Sequence, residues 1–266
     1  MLTYSVGCMQ SEIKQFVFPA GEVGVQLQQP VDGASVVKIK AHIHNSDDTI
    51  ALLMLNDAIR RQAPAASVIL DMPYIPYARQ DRVCNEGESL SIVVFAQLIN
   101  SCGFSEVRVV DPHSDVAPAL IKNATITESY GLLKKDLSSY YVVAPDAGAY
   151  KKAYKWAQKR NALGVITANK VRDVKTGRVV SVTVDKDVAG LNLLVVDDLV
   201  DGGATFKELA KCLTAAHKVD LWVTHGIFSK GIKELTDTYN HIYTTNSFHG
   251  IVPDEMKNDK ITWKEV

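Results

Sequence analysis

The 266-residue sequence lacks the cysteine spacings that build metal sites and disulfide frameworks. Its cysteines, Cys8, Cys84, Cys102 and Cys212, stand far apart and include no CxxC pair. The pattern therefore suggests neither a structural zinc site nor a secreted, disulfide-linked domain. We interpret the four residues as reduced thiols of a cytoplasmic protein.

Long apolar runs and an excess of one charge are also absent. No run approaches the roughly 18 apolar residues of a membrane span, and the start, MLTYSVGCMQ, has no basic segment followed by an apolar core. We therefore expect neither a membrane anchor nor an export signal. The 29 basic and 30 acidic residues leave a net charge of -1, which gives no general attraction to nucleic acid.

Two common nucleotide-binding patterns are missing as well. The sequence contains no Gly-Lys dipeptide, which excludes a Walker A loop, and no GxGxxG follows an apolar run. Any nucleotide site in this chain must therefore be built in another way.

What the sequence does contain is a regular alternation of short apolar runs with helical segments. Strands are predicted over 36–43, 66–75, 106–111, 140–145, 162–168, 192–198 and 220–226. Helices are predicted over 47–62, 88–102, 148–160 and 204–217, the first with Ser46 and Asp47 as capping candidates. Several strands are apolar throughout, as in sheets covered on both faces. This alternation predicts an α/β fold with largely parallel sheets.

The length and a restart of the pattern predict two domains. At about 150 residues per domain, 266 residues favour two, and the alternation restarts near residue 139. We place the domains at 1–138 and 139–266, and leave open that the last residues pack back on the first domain. Residues 171–184 interrupt the alternation and predict a hairpin with its turn at 175–178, which is a candidate flap.

The stretch VVDDLVDGGATF, residues 195–206, combines acids with glycines at the end of a predicted strand. Ligands of open parallel sheets bind beyond the carboxyl ends of the strands. The backbone N–H groups of DGGAT, at the start of a predicted helix, can bind a phosphate, and the preceding acids can accept from sugar hydroxyls or bind magnesium. The alternative is a solvated acidic loop that caps a helix.

Residues 193–205 resemble the phosphoribosyl-diphosphate fingerprint shared by type I phosphoribosyltransferases and ribose-phosphate diphosphokinases, which are also called phosphoribosyl diphosphate synthetases. MPYIPYARQDR, residues 72–82, resembles the ATP-site segment of the diphosphokinases alone. Further matches follow in the order of that family: FPAGE (18–22), VVDPH (109–113), APDAGAYKKA (144–153), NKVRD (169–173), DVAG (187–190) and VTHGIFS (223–229). The resemblance to the ribose-phosphate diphosphokinase family thus covers nearly the whole chain.

This resemblance implies a fold, a reaction and partners. The fold would be α/β, with two phosphoribosyltransferase-type, Rossmann-like domains with largely parallel central sheets and a hairpin flap in the second. The first domain would bind ATP and the second ribose phosphate. With Mg²⁺, the β,γ-diphosphate of ATP would pass to the anomeric hydroxyl of ribose 5-phosphate. A homo-oligomer, dimer or hexamer, would share each ATP site between subunits, with no nucleic acid or membrane partner.

The resemblance also implies roles for individual residues. The catalytic set is Lys170, Arg172 and His113. The ATP-binding set is Phe18, Glu22, Arg79, Gln80 and Asp81. The ribose-phosphate set is Asp146, Asp197, Asp198, Asp201, Gly202, Gly203, Ala204 and Thr205, and His113 and Asp146 would also contact the metal. Without the resemblance, these residues have other interpretations. Lys170 and Arg172 would belong to a solvated basic hairpin, and His113 would be a structural hydrogen-bonding residue. Asp146 would cap a helix.

Some positions differ from the usual family pattern and bear on the substrate. Ala20 stands where the adenine loop usually carries an acid, and Gly202-Gly203-Ala204-Thr205 stands where Thr-Ala-Gly-Thr is usual. The chain is also shorter than typical members. These differences indicate an alternative acceptor, a larger 5-substituted ribose such as ADP-ribose, with a role in NAD salvage.

Two further functions are alternatives to that of a diphosphokinase. If the protein were a phosphoribosyltransferase, the segment YARQDR, residues 77–82, would have no explanation. A non-catalytic regulatory relative would have no reason to keep Lys170, Arg172 and His113 together.

Overall fold

The computed structural model describes residues 1–172 and 179–266, without the side chains of residues 170–181. The chain divides into two units, Met1–Thr127 and Glu128–Val266. The predicted turn at 175–178 lies outside the described residues. Within the described part of the chain, no helix is both long and apolar enough to cross a membrane.

The first unit is built on one mixed sheet. Its strands are β1 (Leu2–Val6), β2 (Met9–Val17), β3 (Val23–Leu27), β4 (Val36–Ala41), β5 (Ser67–Asp71), β6 (Glu106–Val110) and β7 (Ala124–Thr127). Its helices are α1 (Ser46–Gln62), α2 (Ser91–Ser101) and α3 (Val116–Leu120). The strand order is β3-β2-β1-β4-β5-β6-β7. Strands β4 to β7 are parallel, whereas β1, β2 and β3 form an antiparallel extension.

Helix α1 is capped by a different residue from those predicted. The side chain of Asn45 accepts a hydrogen bond from the backbone N–H of Asp48 at 2.9 Å, and the Asn45 backbone is extended, with φ -150°. Ser46 and Asp47 already lie inside the helix, so the prediction that one of them caps it is wrong. The acids in the first turn still complement the positive end of the helix.

Helix α2 begins at Ser91, later than predicted, because the preceding loop has its own hydrogen bonds. The Glu88 carboxylate accepts from the backbone N–H groups of Cys84 and Asn85, both at 3.0 Å. Its side chain therefore stabilises the loop instead of the first turn of a helix.

The second unit is built on a largely parallel sheet. Its strands are β8 (Tyr140–Ala144), β9 (Gly164–Arg172), β10 (Val179–Val184), β11 (Asn192–Val200), β12 (Lys218–Gly226), β13 (His241–Thr245) and β14 (Ile261–Lys264). Its helices are α4 (Tyr150–Lys159), α5 (Ala204–Lys211) and α6 (Lys233–Thr238). The strand order is β10-β9-β8-β11-β12-β13-β14, and among the described strand pairs of this unit only β9/β10 is antiparallel.

Residues 128–138 pack into the second unit. Leu133 and Leu137 are buried in a cluster with Tyr140 and Trp156. The indole N–H of Trp156 donates to Oγ of Ser129 at 3.1 Å, and Ser129 is 2% exposed. These contacts fix the segment ahead of β8.

The predicted hairpin is present, but it continues from the preceding strand. Strand β9 pairs in parallel with β8 and then in antiparallel with β10, with Ala168 opposite Val184. The strand predicted at 162–168 and the first arm of the hairpin are therefore one continuous strand. The fold class predicted from the sequence, α/β with largely parallel sheets in two units, is confirmed.

Helix α5 is shorter than the predicted helix over 204–217. Tighter turns end it, because the N–H of Cys212 bonds to the carbonyl of Leu209 at 2.9 Å and that of Leu213 to the carbonyl of Ala210 at 3.0 Å. Leu209 and Leu213 are both buried, so the apolar spacing that predicted a longer helix reflects packing beyond its end.

Candidate active site

The acid pair lies within strand β11 and not beyond its end. The strand continues to Val200, and its parallel neighbours β8 and β12 hold it at the centre of the sheet. Asp198 is 7% exposed, and its backbone N–H donates to Oδ1 of Asp197 at 2.9 Å. The two carboxylates are therefore fixed by a buried strand.

Burial and mutual repulsion make the ionised pair unfavourable. Burial, followed by the negative charge of Asp198, raises the pKa of Asp197 well above its usual value. The ammonium group of Lys152 on α4 partly offsets this shift. A cation or hydroxyl donors placed at the pair would relieve the repulsion.

The loop between β11 and α5 is shaped by a glycine in the left-handed region. Gly203 has φ 75° and immediately precedes α5. A Cβ at Gly203 would lie 3.3 Å from Cδ1 of the buried Leu235, which would have to shift by a few tenths of an ångström. The backbone conformation and this packing both favour glycine here. Because the missing side chain would face Leu235, its absence adds no room for a ligand.

The same loop presents the start of a helix. The N–H of Lys207 bonds to the carbonyl of Gly203 at 3.1 Å as α5 begins, so the preceding N–H groups form the positive end of the helix. Asp201 and Ala204 are exposed, and Thr205 is half-buried in the first turn. The arrangement suits an anion next to the acid pair.

Asp146 lies between β8 and α4, at the neighbouring strand end. Its carboxylate accepts from the backbone N–H of Ala149 at 3.1 Å. Helix α4 begins at Tyr150 with Ala149 as its cap residue, so Asp146 closes the turn before the helix. The capping alternative is thus close to what is observed, although the cap position itself is three residues later.

In the first unit, two predicted ATP-site segments meet. Oδ2 of Asp81 accepts a hydrogen bond from Oγ of Ser114 at 2.7 Å, which joins the segment after β5 to the loop after β6. His113, next to Ser114, is exposed, as are Arg79 and Gln80. The left-handed backbone of Tyr77, φ 63°, turns the first segment.

Phe18 and Glu22 close the hairpin between β2 and β3. The N–H of Phe18 bonds to the carbonyl of Glu22 at 2.8 Å, and Gly21, with φ 99°, completes the turn. Phe18 is 52% exposed and its ring lies 5.1 Å from that of Phe16. Both residues are therefore displayed at the tip of an edge hairpin.

Lys170 and Arg172 lie on β9, opposite Val182 and Val179 of β10. Their side chains are outside the described part of the structure, and their catalytic roles stay predictions.

Comparisons with known proteins agree with this architecture. A family model described as the N-terminal domain of ribose phosphate pyrophosphokinase matches residues 2–103. The ribose-phosphate pyrophosphokinase of Gloeobacter violaceus is 31% identical over 242 residues, which are 86% of this chain and 72% of that protein. That of Pyrococcus abyssi is 30% identical over 260 residues, which are 94% of this chain and 87% of that protein.

The chain belongs to the ribose-phosphate pyrophosphokinase family. Pyrophosphokinase and diphosphokinase name the same activity, so the family predicted from the sequence is confirmed, and the chain is a member of a family of enzymes. A crystal structure of phosphoribosylpyrophosphate synthetase from Mycobacterium smegmatis has a TM-score of 0.82 at 23% identity, covering 96% of this chain and 86% of that one. This likeness shows that the fold is shared.

The donor set of this pyrophosphokinase family member fits Mg²⁺. No group of three or more His, Cys, Asp or Glu side chains that could hold a metal occurs among the described residues. Mg²⁺ does not need one, because it keeps several waters and binds through one or two carboxylates plus substrate phosphates. Asp197 and Asp198 would supply two such carboxylates, whose repulsion a divalent cation would relieve.

Sequence reasoning missed Lys152 as a member of this site. Its charge acts on Asp197, although it lies on α4 and not in the acidic stretch. The available signal was the pair Lys151-Lys152, five and six residues after Asp146, since a helix that follows a parallel strand begins at the carboxyl edge of the sheet.

Proposed function

We propose that the protein transfers the β,γ-diphosphate of ATP to the anomeric hydroxyl of ribose 5-phosphate, giving phosphoribosyl diphosphate and AMP, with Mg²⁺. The observation that carries the proposal is the repelling Asp197–Asp198 pair on β11, directly before the glycine loop and α5. Membership of the ribose-phosphate pyrophosphokinase family across both units supports it.

The second unit would hold the sugar. Asp197 and Asp198 accept from ribose hydroxyls, and the first-turn N–H groups of α5 with Thr205 donate to the 5-phosphate. The buried strand fixes both ends of this site relative to each other, which places the anomeric oxygen before reaction. Asp201 and Asp146 border the same edge of the sheet.

The first unit would hold ATP. Arg79, Gln80 and Asp81 lie on the segment that Ser114 joins to the His113 loop, so one hydrogen bond organises both halves of a nucleotide site. Phe18 and Glu22, displayed on the edge hairpin, would contact adenine in a second copy of the chain. This contact would make the enzyme a homo-oligomer.

The reaction forms a bond from the anomeric oxygen to the β-phosphorus and breaks the bond between that phosphorus and the oxygen bridging it to AMP. Charge accumulates on the transferring phosphates, so cationic groups stabilise the transition state. Lys170, Arg172 and His113 would supply that charge from this chain. When bound, Mg²⁺ would neutralise part of the phosphate charge.

ADP-ribose is the second candidate acceptor, because it presents the same anomeric hydroxyl. Ala20 in the hairpin turn favours it, since it replaces an acidic side chain that the family pattern carries. Gly202 and Gly203 do not add to this argument, because the side chains of Lys230 and Leu235 lie beside them.

One assay tests the reaction and the acceptor together. The protein is incubated with ATP and Mg²⁺ and with either ribose 5-phosphate or ADP-ribose, and AMP is measured. AMP release with ribose 5-phosphate supports the proposal, and release with ADP-ribose alone selects the second acceptor. No AMP with either sugar would overturn both, and nucleotide plus diphosphate formed from phosphoribosyl diphosphate and a base would indicate a transferase.

A further inference from the structure

The turn after β12 is fixed against the end of β11. The carbonyl of Val200, the last residue of β11, accepts from the N–H groups of Ile227 at 2.9 Å and Phe228 at 3.4 Å. Phe228 is 1% exposed with φ 52°, and the N–H of Gly231 returns to its carbonyl at 2.7 Å. Residues 228–231 therefore form a closed turn beside the loop that begins at Asp201.

Lys230 from this turn lies over Gly202. The Cδ and Cε atoms of Lys230 are both 3.4 Å from the position that a Cβ at Gly202 would occupy, and its Cγ is at 3.7 Å. These are ordinary van der Waals distances, so the stem of Lys230 packs against the backbone at Gly202. The lysine side chain thus lies along the phosphate loop, with Nζ one bond beyond Cε.

The charges near Lys230 leave its ammonium group available for an anion. Lys230 has no hydrogen bond or ion pair within the described residues. The charge of Lys230 acts on Glu234, which binds Nζ of Lys207. The lowered pKa of Glu234 arises mainly from Lys207 and only then from Lys230. Two lysines thus face one carboxylate next to the start of α5.

We propose that Lys230, whose stem lies over Gly202, binds the 5-phosphate of the sugar substrate, or the first phosphate of a 5-substituted ribose. The proposal rests on the proposed function, because it assigns the loop to that phosphate. Lys230 would add a charge-assisted hydrogen bond to the backbone donors of α5. The competing explanation is a surface lysine that only helps to neutralise Glu234.

Matched variants separate charge from packing. Lys230→Met keeps most of the stem over Gly202 and removes the charge, whereas Lys230→Arg keeps the charge. Lys233→Met removes a lysine that is 86% exposed and pairs with Asp237 on α6, so it is the control. We expect Lys230→Met to raise KM for ribose 5-phosphate about 10- to 100-fold, the range for a hydrogen bond to a charged group.

The other kinetic constants make the assignment specific. The KM for ATP and kcat should change less than about twofold, because a phosphate ligand remote from the transferring group acts on substrate binding. Lys230→Arg should recover most of the affinity, and Lys233→Met should match the wild type. An unchanged KM for ribose 5-phosphate and for ADP-ribose in Lys230→Met would overturn the proposal.

A binding measurement tests Lys230 as a phosphate ligand without requiring catalysis. Inorganic phosphate is titrated into wild-type protein and Lys230→Met by calorimetry, without ATP. Phosphate binding that is weakened in Lys230→Met and retained in Lys233→Met supports Lys230 as a ligand, whereas equal binding by all three proteins, or no binding to the wild type, overturns it. Because AMP release is measured separately, an inactive wild type contradicts the proposed function while the phosphate titration still decides the role of Lys230.

Discussion

The backbone N–H of Asp198 donates to Oδ1 of Asp197 at 2.9 Å, so the two adjacent acids share a hydrogen bond inside strand β11. This bond offsets only part of their repulsion, because burial and the charge of Asp198 still raise the pKa of Asp197 well above its usual value. A bound cation or hydroxyl donors would relieve the repulsion between the two carboxylates. A site for a sugar and a metal requires acids arranged in this way.

Replacing Asp197 by Asn should stabilise the ligand-free protein and abolish AMP release. The substitution removes a buried charge from beside Asp198, and we expect a gain of about 0.5–2 kcal/mol in EDTA at neutral pH. Urea unfolding followed by tryptophan fluorescence measures it, since Trp156, Trp222 and Trp263 all lie in the second unit. Asp237→Asn, which removes an exposed carboxylate, should change stability by less than about 0.5 kcal/mol.

The raised pKa of Asp197 also predicts that the stability difference between Asp197→Asn and the wild type depends on pH. The folded-state pKa of Asp197 is raised above its unfolded value, so its protonated form favours the folded state. That contribution is fully present below the unfolded pKa, near 3.9, and is lost as pH rises through the folded value. The stability advantage of Asp197→Asn should therefore grow with pH in EDTA, and an advantage that shrinks would contradict the burial argument.

Gly203→Ala should destabilise the second unit more than Gly190→Ala. Both glycines have positive φ, 75° and 71°, so each alanine costs about 1–2 kcal/mol in backbone energy. Only at Gly203 does the new Cβ meet a neighbour, Leu235 at 3.3 Å, whereas nothing lies within 4 Å at Gly190. The difference between the two urea midpoints measures this contact, and equal midpoints would show that Leu235 moves aside freely.

Ser129→Ala should lower the stability of the second unit by about 1–3 kcal/mol, because the buried Trp156 N–H would lose its acceptor. Ser138→Ala, whose hydroxyl bonds to the exposed Asp136, is the control and should have little effect. Tryptophan fluorescence during urea unfolding reports both variants. Unchanged stability of Ser129→Ala would mean that another group, or water, accepts the hydrogen bond from the indole N–H of Trp156.

Asn45→Ala should weaken helix α1 by about 0.5–2 kcal/mol, because the Asp48 N–H loses its side-chain acceptor. Ser46→Ala, at the neighbouring position, should be nearly neutral. Hydrogen exchange of peptides from 46–62 gives the opening free energy of this helix in the intact protein. Equal effects of the two substitutions would contradict the assignment of the cap to Asn45.

Lys170→Ala should abolish AMP release while the protein remains folded, because the transferring phosphates would lose a cation. Lys159→Ala, in the last turn of α4, is the control and should keep its activity. Tryptophan fluorescence and thermal unfolding check the fold of both. Full activity of Lys170→Ala would remove the residue from the catalytic set.

The periodic parts of the fold could be predicted, because strand and helix periods are local. The strands β8 and β11 were found within a few residues, since their apolar runs are covered on both faces, and β4 was found from its alternation of buried and exposed residues. The antiparallel strands β1, β2 and β3 and the short helices α3 and α6 were not predicted, because short or exposed elements carry little periodic signal. Helix α2 was placed too early, since Glu88 bonds to its own loop.

By itself, the sequence determined the α/β alternation, the family and the position of the acid pair beside a glycine loop, because motif order and hydrophobic period are written along the chain. Only the tertiary structure decided that Asp197 and Asp198 lie within a buried strand, that Gly203 is held by Leu235, and that Lys230 lies over Gly202. Each of these depends on segments that are distant in sequence. Burial, repulsion and contact distance arise only when the sheet brings such segments together.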